Sequence, residues 1–142
     1  MENNINILDE LHKGCCMGVD ALKFILEKVN ENDFRELLEN QVKEYLGFSN
    51  KINQLYKEYT KDEIHDTSKM EKVMTWYGIQ KDTILDDGIS NLSDLLIRGT
   101  TMGIIEGRRI LNNKKMDGDV HKLCADYVKM QEDYVEKLKK CL

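Results

Sequence analysis

The chain predicts an all-α protein, an antiparallel four-helix bundle built from two related helical hairpins, and three observations carry that expectation. No proline interrupts its 142 residues, of which 33% are charged and 41% hydrophobic, a mixture that favours long unbroken helices. Apolar residues recur in steps of three and four along several long stretches, the seam expected of helices packed lengthwise. One segment also occurs twice, KGCCMGVDALKFIL at 13–26 and RGTTMGIIEGRRIL at 98–111. The copies pair Lys13 with Arg98, Gly14 with Gly99, Met17 with Met102, Gly18 with Gly103 and Leu26 with Leu111. A repeat spaced so widely is no solenoid period and marks two related halves.

The first helix is expected from about Ile5 to Val29, with the stripe Leu8, Leu11, Cys15, Gly18, Leu22, Ile25, Val29 turned inward. Asn30 to Asn32 make a short turn with two capping candidates. The second helix covers roughly Asp33 to Tyr59, with the stripe Phe34, Leu38, Gln41, Tyr45, Phe48, Ile52, Leu55, Tyr59. Residues 60–68, TKDEIHDTS, form the most polar stretch and the main connection between hairpins. Ser68 and Glu71 have the spacing of a capping box, opening a short helix whose apolar face holds Met70, Val73, Met74, Tyr77, Ile84 and Leu85. The third long helix begins near Ser90 or Asn91, with the stripe Leu92, Leu96, Gly99, Gly103, Glu106, Ile110. Asn112 to Gly118 make a polar turn capped by Asp117 or Asp119. The last helix runs from about Val120 to the end, with Val120, Cys124, Tyr127, Gln131, Tyr134, Leu138 and Cys141 inward. The expected organisation is therefore a single domain over 1–142, with hairpins at 5–59 and 90–142 and a connector at 60–88. That connector is long enough to cross a bundle of helices ~36 Å long, which predicts a crossover and not a simple meander.

Composition narrows the function classes. The net charge is -5 with acids and bases interleaved, which leaves no basic stripe for nucleic acid or anionic lipid. The opening MENNINILDELHKG is polar and acidic and does not read as a secretion signal. No apolar run approaches the ~20 residues that span a bilayer. A cytoplasmic protein is expected, with its four cysteines reduced.

The glycines ask for an explanation. Gly14 and Gly18 on the first helix, and Gly99, Gly103 and Gly107 on the third, oppose helix formation by ~4–5 kcal/mol together. Close packing of the first and third helices through these faces would offset that cost, and room for a ligand is the alternative.

In a bundle of this kind candidate chemistry belongs at mid-height. Di-iron bundles place a Glu on each of two helices and Glu-x-x-His on the others, all pointing inward. No Glu stands three residues before His12, His65 or His121, and Glu106 is the one carboxylate on an inward stripe. What remains is a polar layer of Gln41, Tyr45, Thr101 (or Thr100), Glu106, Tyr127 and Gln131. It reads as a hydrogen-bonded network fixing register, with a small-ligand pocket or a lost metal site as the functional alternative. His12-x-x-Cys15 and His121-x-x-Cys124 formally make a Cys2His2 set. Their stagger along the helices disfavours zinc, and buried thiols flanked by surface histidines are the expected arrangement. A redox-responsive thiol at Cys15 or Cys16 needs an exposed, activated sulfur, which a mid-helix setting does not favour.

Four segments and the order of the hairpins carry a resemblance: LDEL at 8–11, the KGCCMG and RGTTMG repeats, and MTWYGIQK at 74–81. On these the chain resembles the ferritin-like superfamily, and within it small bacterial bundles known only as domains of unknown function. The resemblance spans essentially the whole chain. It implies a ferritin-like bundle and, by analogy alone, a stress- or sporulation-associated role. Metal-using relatives carry carboxylates and histidines where this chain has Gly18, Gln41, Gly103 and Gln131, which argues against ferroxidase or peroxidase chemistry. The expectation is a non-enzymatic binding or structural module without cofactor, acting with an unidentified protein partner or as a homodimer through an apolar patch at Met70, Met74, Trp76 and Tyr77. The alternative is a degenerate metal-binding or di-iron oxidase-type protein using Glu106 with cysteine or histidine ligands.

Overall fold

The computed structural model describes residues 2–64 and 88–142. The expected short helix, its capping box at Ser68 and Glu71 and its apolar patch lie outside them. All regular structure among the described residues is helical, in four helices: α1 (Glu2–Leu26), α2 (Asn32–Tyr59), α3 (Ile89–Asn113) and α4 (Gly118–Lys139). They form a four-helix bundle, with the tightest pairings within α1–α2 and within α3–α4.

The helix directions follow from named contacts. Asn4 Oδ1 accepts from the Asp117 backbone N–H at 2.9 Å, and further along both helices Gly14 faces the Tyr127 hydroxyl, so α1 and α4 run the same way. The Tyr59 hydroxyl lies 2.9 Å from carboxylate oxygens of both Asp117 and Asp119, whereas Gln41 meets Met130 and Tyr45 meets Gln131. Thus α2 opposes α4. Gly107 contacts Cys124 and Val128 while Gly103 contacts Gln131, so α3 also opposes α4. The order is up, down, down, up.

The inward stripes of α1, α2 and α4 match the hydrophobic periodicity, with Leu8, Leu22, Leu38, Ile52, Val120 and Leu138 all sealed from solvent, except at two ends: Tyr56 is buried where Tyr59 was expected and Tyr59 is half-buried, and Cys141 lies half-buried beyond the last residue of α4. On α3 the expected stripe fails at one point. Glu106 is exposed and Gly107 is buried in its place. From Gly103 the buried face steps by four and not three, and a glycine gives no hydropathy signal to mark that step.

The turn between α1 and α2 is also built differently from the expectation. Glu31, not Asn30 or Asn32, caps α2: its carboxylate accepts from Asp33 N–H at 2.9 Å and Phe34 N–H at 2.7 Å. A longer acid serves here because the two oxygens reach two orphan donors of the first turn at once. Arg35 then reaches back to donate to the carbonyls of Leu26 at 2.9 Å and Val29 at 3.3 Å, which satisfies the otherwise open end of α1. At α4, Asp117 is the N-cap residue, yet its side chain makes no cap hydrogen bond and is engaged by Tyr59.

Candidate functional site

The waist of the bundle is where the sequence put its polar layer, and glycine shapes it. A Cβ at Gly18 would stand 2.7–2.9 Å from three ring carbons of Tyr45, and one at Gly14 would stand 2.8 Å from the Tyr127 hydroxyl. A Cβ at Gly103 would stand 2.5 Å from Gln131 Nε2, and at Gly107 it would meet a Val128 methyl. Gly99 is buried on the same helix. The expected face-to-face packing of the α1 and α3 glycines is therefore replaced by sockets. The nearest neighbours of Gly14, Gly18, Gly103 and Gly107 are side chains of α2 or α4, because rings and amides fill the space the glycines leave. Gly18 and Gly103 are partners in the repeat, and the side chains seated in them, Tyr45 and Gln131, meet each other: the Gln131 amide donates to the Tyr45 hydroxyl at 3.4 Å.

Around this contact the polar groups are packed among apolar ones. Tyr45, Gln41, Thr100, Tyr127 and Gln131 are all buried. Burial pushes the Tyr45 phenol up to about 12, with Gln131, Thr100 and Gln41 hydrogen-bonded close by and pulling it back. Burial likewise raises the Cys15 thiol to about 12, with the neighbouring Cys16 adding to the rise and a Tyr127 hydrogen bond opposing it. Tyr127 also meets the rings of Tyr45 and Phe48 edge-on, at 6.2 Å and 5.7 Å between centroids, a favourable geometry for the ring quadrupoles. Gln41 Nε2 donates to the Met130 sulfur at 2.8 Å. The network is incomplete, since Gln131 Oε1 is buried with no partner among the described residues.

Two members of the expected layer belong elsewhere. Thr101 is half-buried, and its neighbour Thr100 is the threonine at the waist. Glu106 lies on the wall of an open groove of about 410 Å³ between α1 and α3, with Asp9, Glu10, Lys114, Ile7 and Ile110. As the helix turns past Gly103, position 106 comes out on the solvent side.

The expected Cys2His2 set is dispersed. Cys15 adjoins Tyr127, the Cys124 sulfhydryl points to the Gly107 carbonyl at 4.0 Å, and His121 is exposed. His12 is not at the surface: it is 6% exposed, and it meets Cys16, not Cys15. Among the described residues no three His, Cys, Asp or Glu side chains converge as metal ligands, and no helix is long and apolar enough to cross a membrane.

Two features escaped the sequence. One is the His12–Cys16 pair, whose i,i+4 spacing was available as a signal. The other is the junction of Tyr59, Asp117 and Asp119 at the bundle end, where Asn4 joins from α1 and the Asn3 amide donates to the Lys115 carbonyl. Nothing in the local sequence links residues so far apart. Comparison of the chain with protein-family models, with curated proteins and with solved structures yields no match.

Proposed function

We propose that this protein is a non-enzymatic bundle of ferritin-like architecture that works as a binding or structural module. The up, down, down, up order of the helices supports the architecture, since a long crossover between hairpins is what ferritin-like bundles use. The observation that carries the functional reading is the glycine-socket packing at the waist. Mid-height, where metal-using bundles converge carboxylates and histidines, is here occupied by Tyr45, Tyr127 and Gln131 seated against Gly18, Gly14 and Gly103. The polar groups gathered there are phenols, amides, a threonine hydroxyl and a thiol whose proton is held up to about 12. Hard divalent metals and iron pairs favour anionic oxygen donors with imidazole, and this set offers neither.

The test is elemental analysis of the untagged, full-length protein purified without chelator. Iron, manganese and zinc far below one atom per chain are expected. About two irons per chain would overturn the reading in favour of the oxidase-type alternative, and about one zinc would revive a cysteine–histidine site.

A further inference from the structure

Among the described residues the large hydrophobic side chains that stand exposed are Leu46, Met102, Ile105 and Leu142. Leu46 belongs to α2 and Leu142 is the last residue. Met102 and Ile105, 45% and 46% exposed, are one turn apart on α3 and share its outer face. The repeat shows the same place in a covered state. Met17, the partner of Met102 on α1, is 8% exposed. The partner of Ile105 is Asp20, so α3 turns an isoleucine to water where α1 carries an acid.

The charges around this pair alternate in sign. Asp94, Arg98, Met102 and Glu106 follow one another in steps of four, and Arg109 comes three residues later. Arg98 and Asp94 pair at 2.9 Å with both side chains largely in solvent. Glu106 and Arg109 are exposed and enter no ion pair among the described residues. Set against a second α3 running the opposite way about Met102, the row is its own complement. At 1.5 Å per residue, Arg98 and Glu106 each lie ~6 Å from Met102, and Asp94 and Arg109 lie ~12 Å and ~10 Å from it. Arg98 of one copy therefore meets Glu106 of the other, and Asp94 meets Arg109. Other alignments lose the match. A parallel pair sets each charge against its own copy, and an axis midway between Met102 and Ile105 sets Arg98 against Arg109.

We propose that two copies of this chain associate through the outer face of α3, antiparallel about a two-fold axis at Met102. The contact is isologous and closes at two copies. Met102 meets its own copy at the axis with the Ile105 side chains beside it, and burial of these four supplies the attraction. The ion pairs, each weak at a surface, fix direction and register. On the α1 side of Glu106, Asp9 and Glu10 line the same groove, with Lys114 as its one base, so an incoming Arg98 meets net negative charge. A single helix face falls below the ~1,200 Å² of standard interfaces, so association is weak and rises with protein concentration. The proposal goes beyond the non-enzymatic reading and does not depend on it, since metal at the waist would leave this outer face unchanged.

The experiment measures the mass of the untagged, full-length protein by sedimentation equilibrium, from roughly 5 µM to roughly 1 mM, the span of weak complexes. Mass should climb from the 16.6 kDa of one chain toward twice that value. Met102→Glu, at an exposed position, should keep its urea midpoint yet stay a monomer throughout. Arg98→Glu and Glu106→Arg should each weaken association by at least about tenfold. Mixed together, those two variants should pair again, because each supplies the charge the other lacks. The proposal fails if the wild-type protein remains a monomer at the highest concentration, a result that needs no variant. It fails equally if Met102→Glu associates as the wild type does, which would place the interface elsewhere, or if the two folded charge variants do not pair when mixed.

Discussion

Glycine acts in opposite ways at Gly18 on α1 and Gly47 on α2. At Gly18 the ring of Tyr45, 2% exposed, stands where a Cβ would go, so Gly18→Ala forces a buried ring to move. The gain in helix propensity of about 1 kcal/mol is outweighed by overpacking of about 1–3 kcal/mol or more, and the urea midpoint should drop. Gly47 lies inside α2 with nothing within 4 Å of its would-be Cβ. Gly47→Ala should raise the midpoint by the equivalent of about 0.8–1 kcal/mol. Gln131 offers a second comparison. Its Oε1 has no partner among the described residues and its amide makes a single long bond to Tyr45. Gln131→Met keeps the volume and removes an unpaired buried carbonyl, a defect that costs about 1–3 kcal/mol. The variant should unfold at equal or higher urea concentration; a large loss of stability would mean the amide is better satisfied than these contacts indicate.

The helices show which parts of the architecture the sequence made legible. Along α1, α2 and α4 the apolar residues are frequent enough that the three-four stepping located the centre of the buried face, Gln41 and Gln131 included, while flanking buried residues such as Phe24, Tyr56 and Val128 fell outside the stripe. On α3 the face passes through Gly99, Gly103 and Gly107, and with no side chain to read, the stripe drifted onto Glu106. Caps were the weakest part, because Glu31 takes over a task for which shorter acids and amides are the usual candidates. Glu31 accepts two backbone N–H groups, so Glu31→Ala should lower stability by about 1 kcal/mol, with the loss appearing in the urea midpoint. Tyr59 ties the end of α2 to the start of α4 through Asp117 and Asp119. Removing its hydroxyl in Tyr59→Phe should speed amide hydrogen exchange in the first turn of α4 while leaving the α1–α2 turn unchanged.

For the molecule as a unit, the buried acids share one sign. Burial raises the thiols of Cys15 and Cys124 and the phenols of Tyr45, Tyr56 and Tyr59, the last two helped by Asp9 and by Asp119 with Asp117. A folded chain that holds these protons more tightly than the unfolded one is stabilised fully below the unfolded values and loses that stability as pH rises through the folded ones. With ordinary values of 9.0 for thiol and 10.0 for phenol and folded values of about 11 to 12, the decline should begin near pH 9 and steepen toward 12. Urea midpoints measured across that range should fall, and less steeply in a Cys15→Ala, Cys124→Ala protein. The directions of the helices were legible because a connector at 60–88 long enough to cross the bundle predicts that α2 and α3 run the same way, and both do oppose α4. The waist was legible as a list of residues and not as an arrangement, since sockets depend on which helix faces which. One of those sockets bears on ancestry. Tyr45 fills the socket at Gly18 and Gln131 the socket at Gly103, the partner of Gly18 in the repeat, and the two side chains touch. Two identical half-length chains associating in this way would be obliged to set phenol against phenol or amide against amide. Joining the halves in one polypeptide lifts that obligation, and the unlike donor and acceptor found there are a combination that two identical copies could not hold.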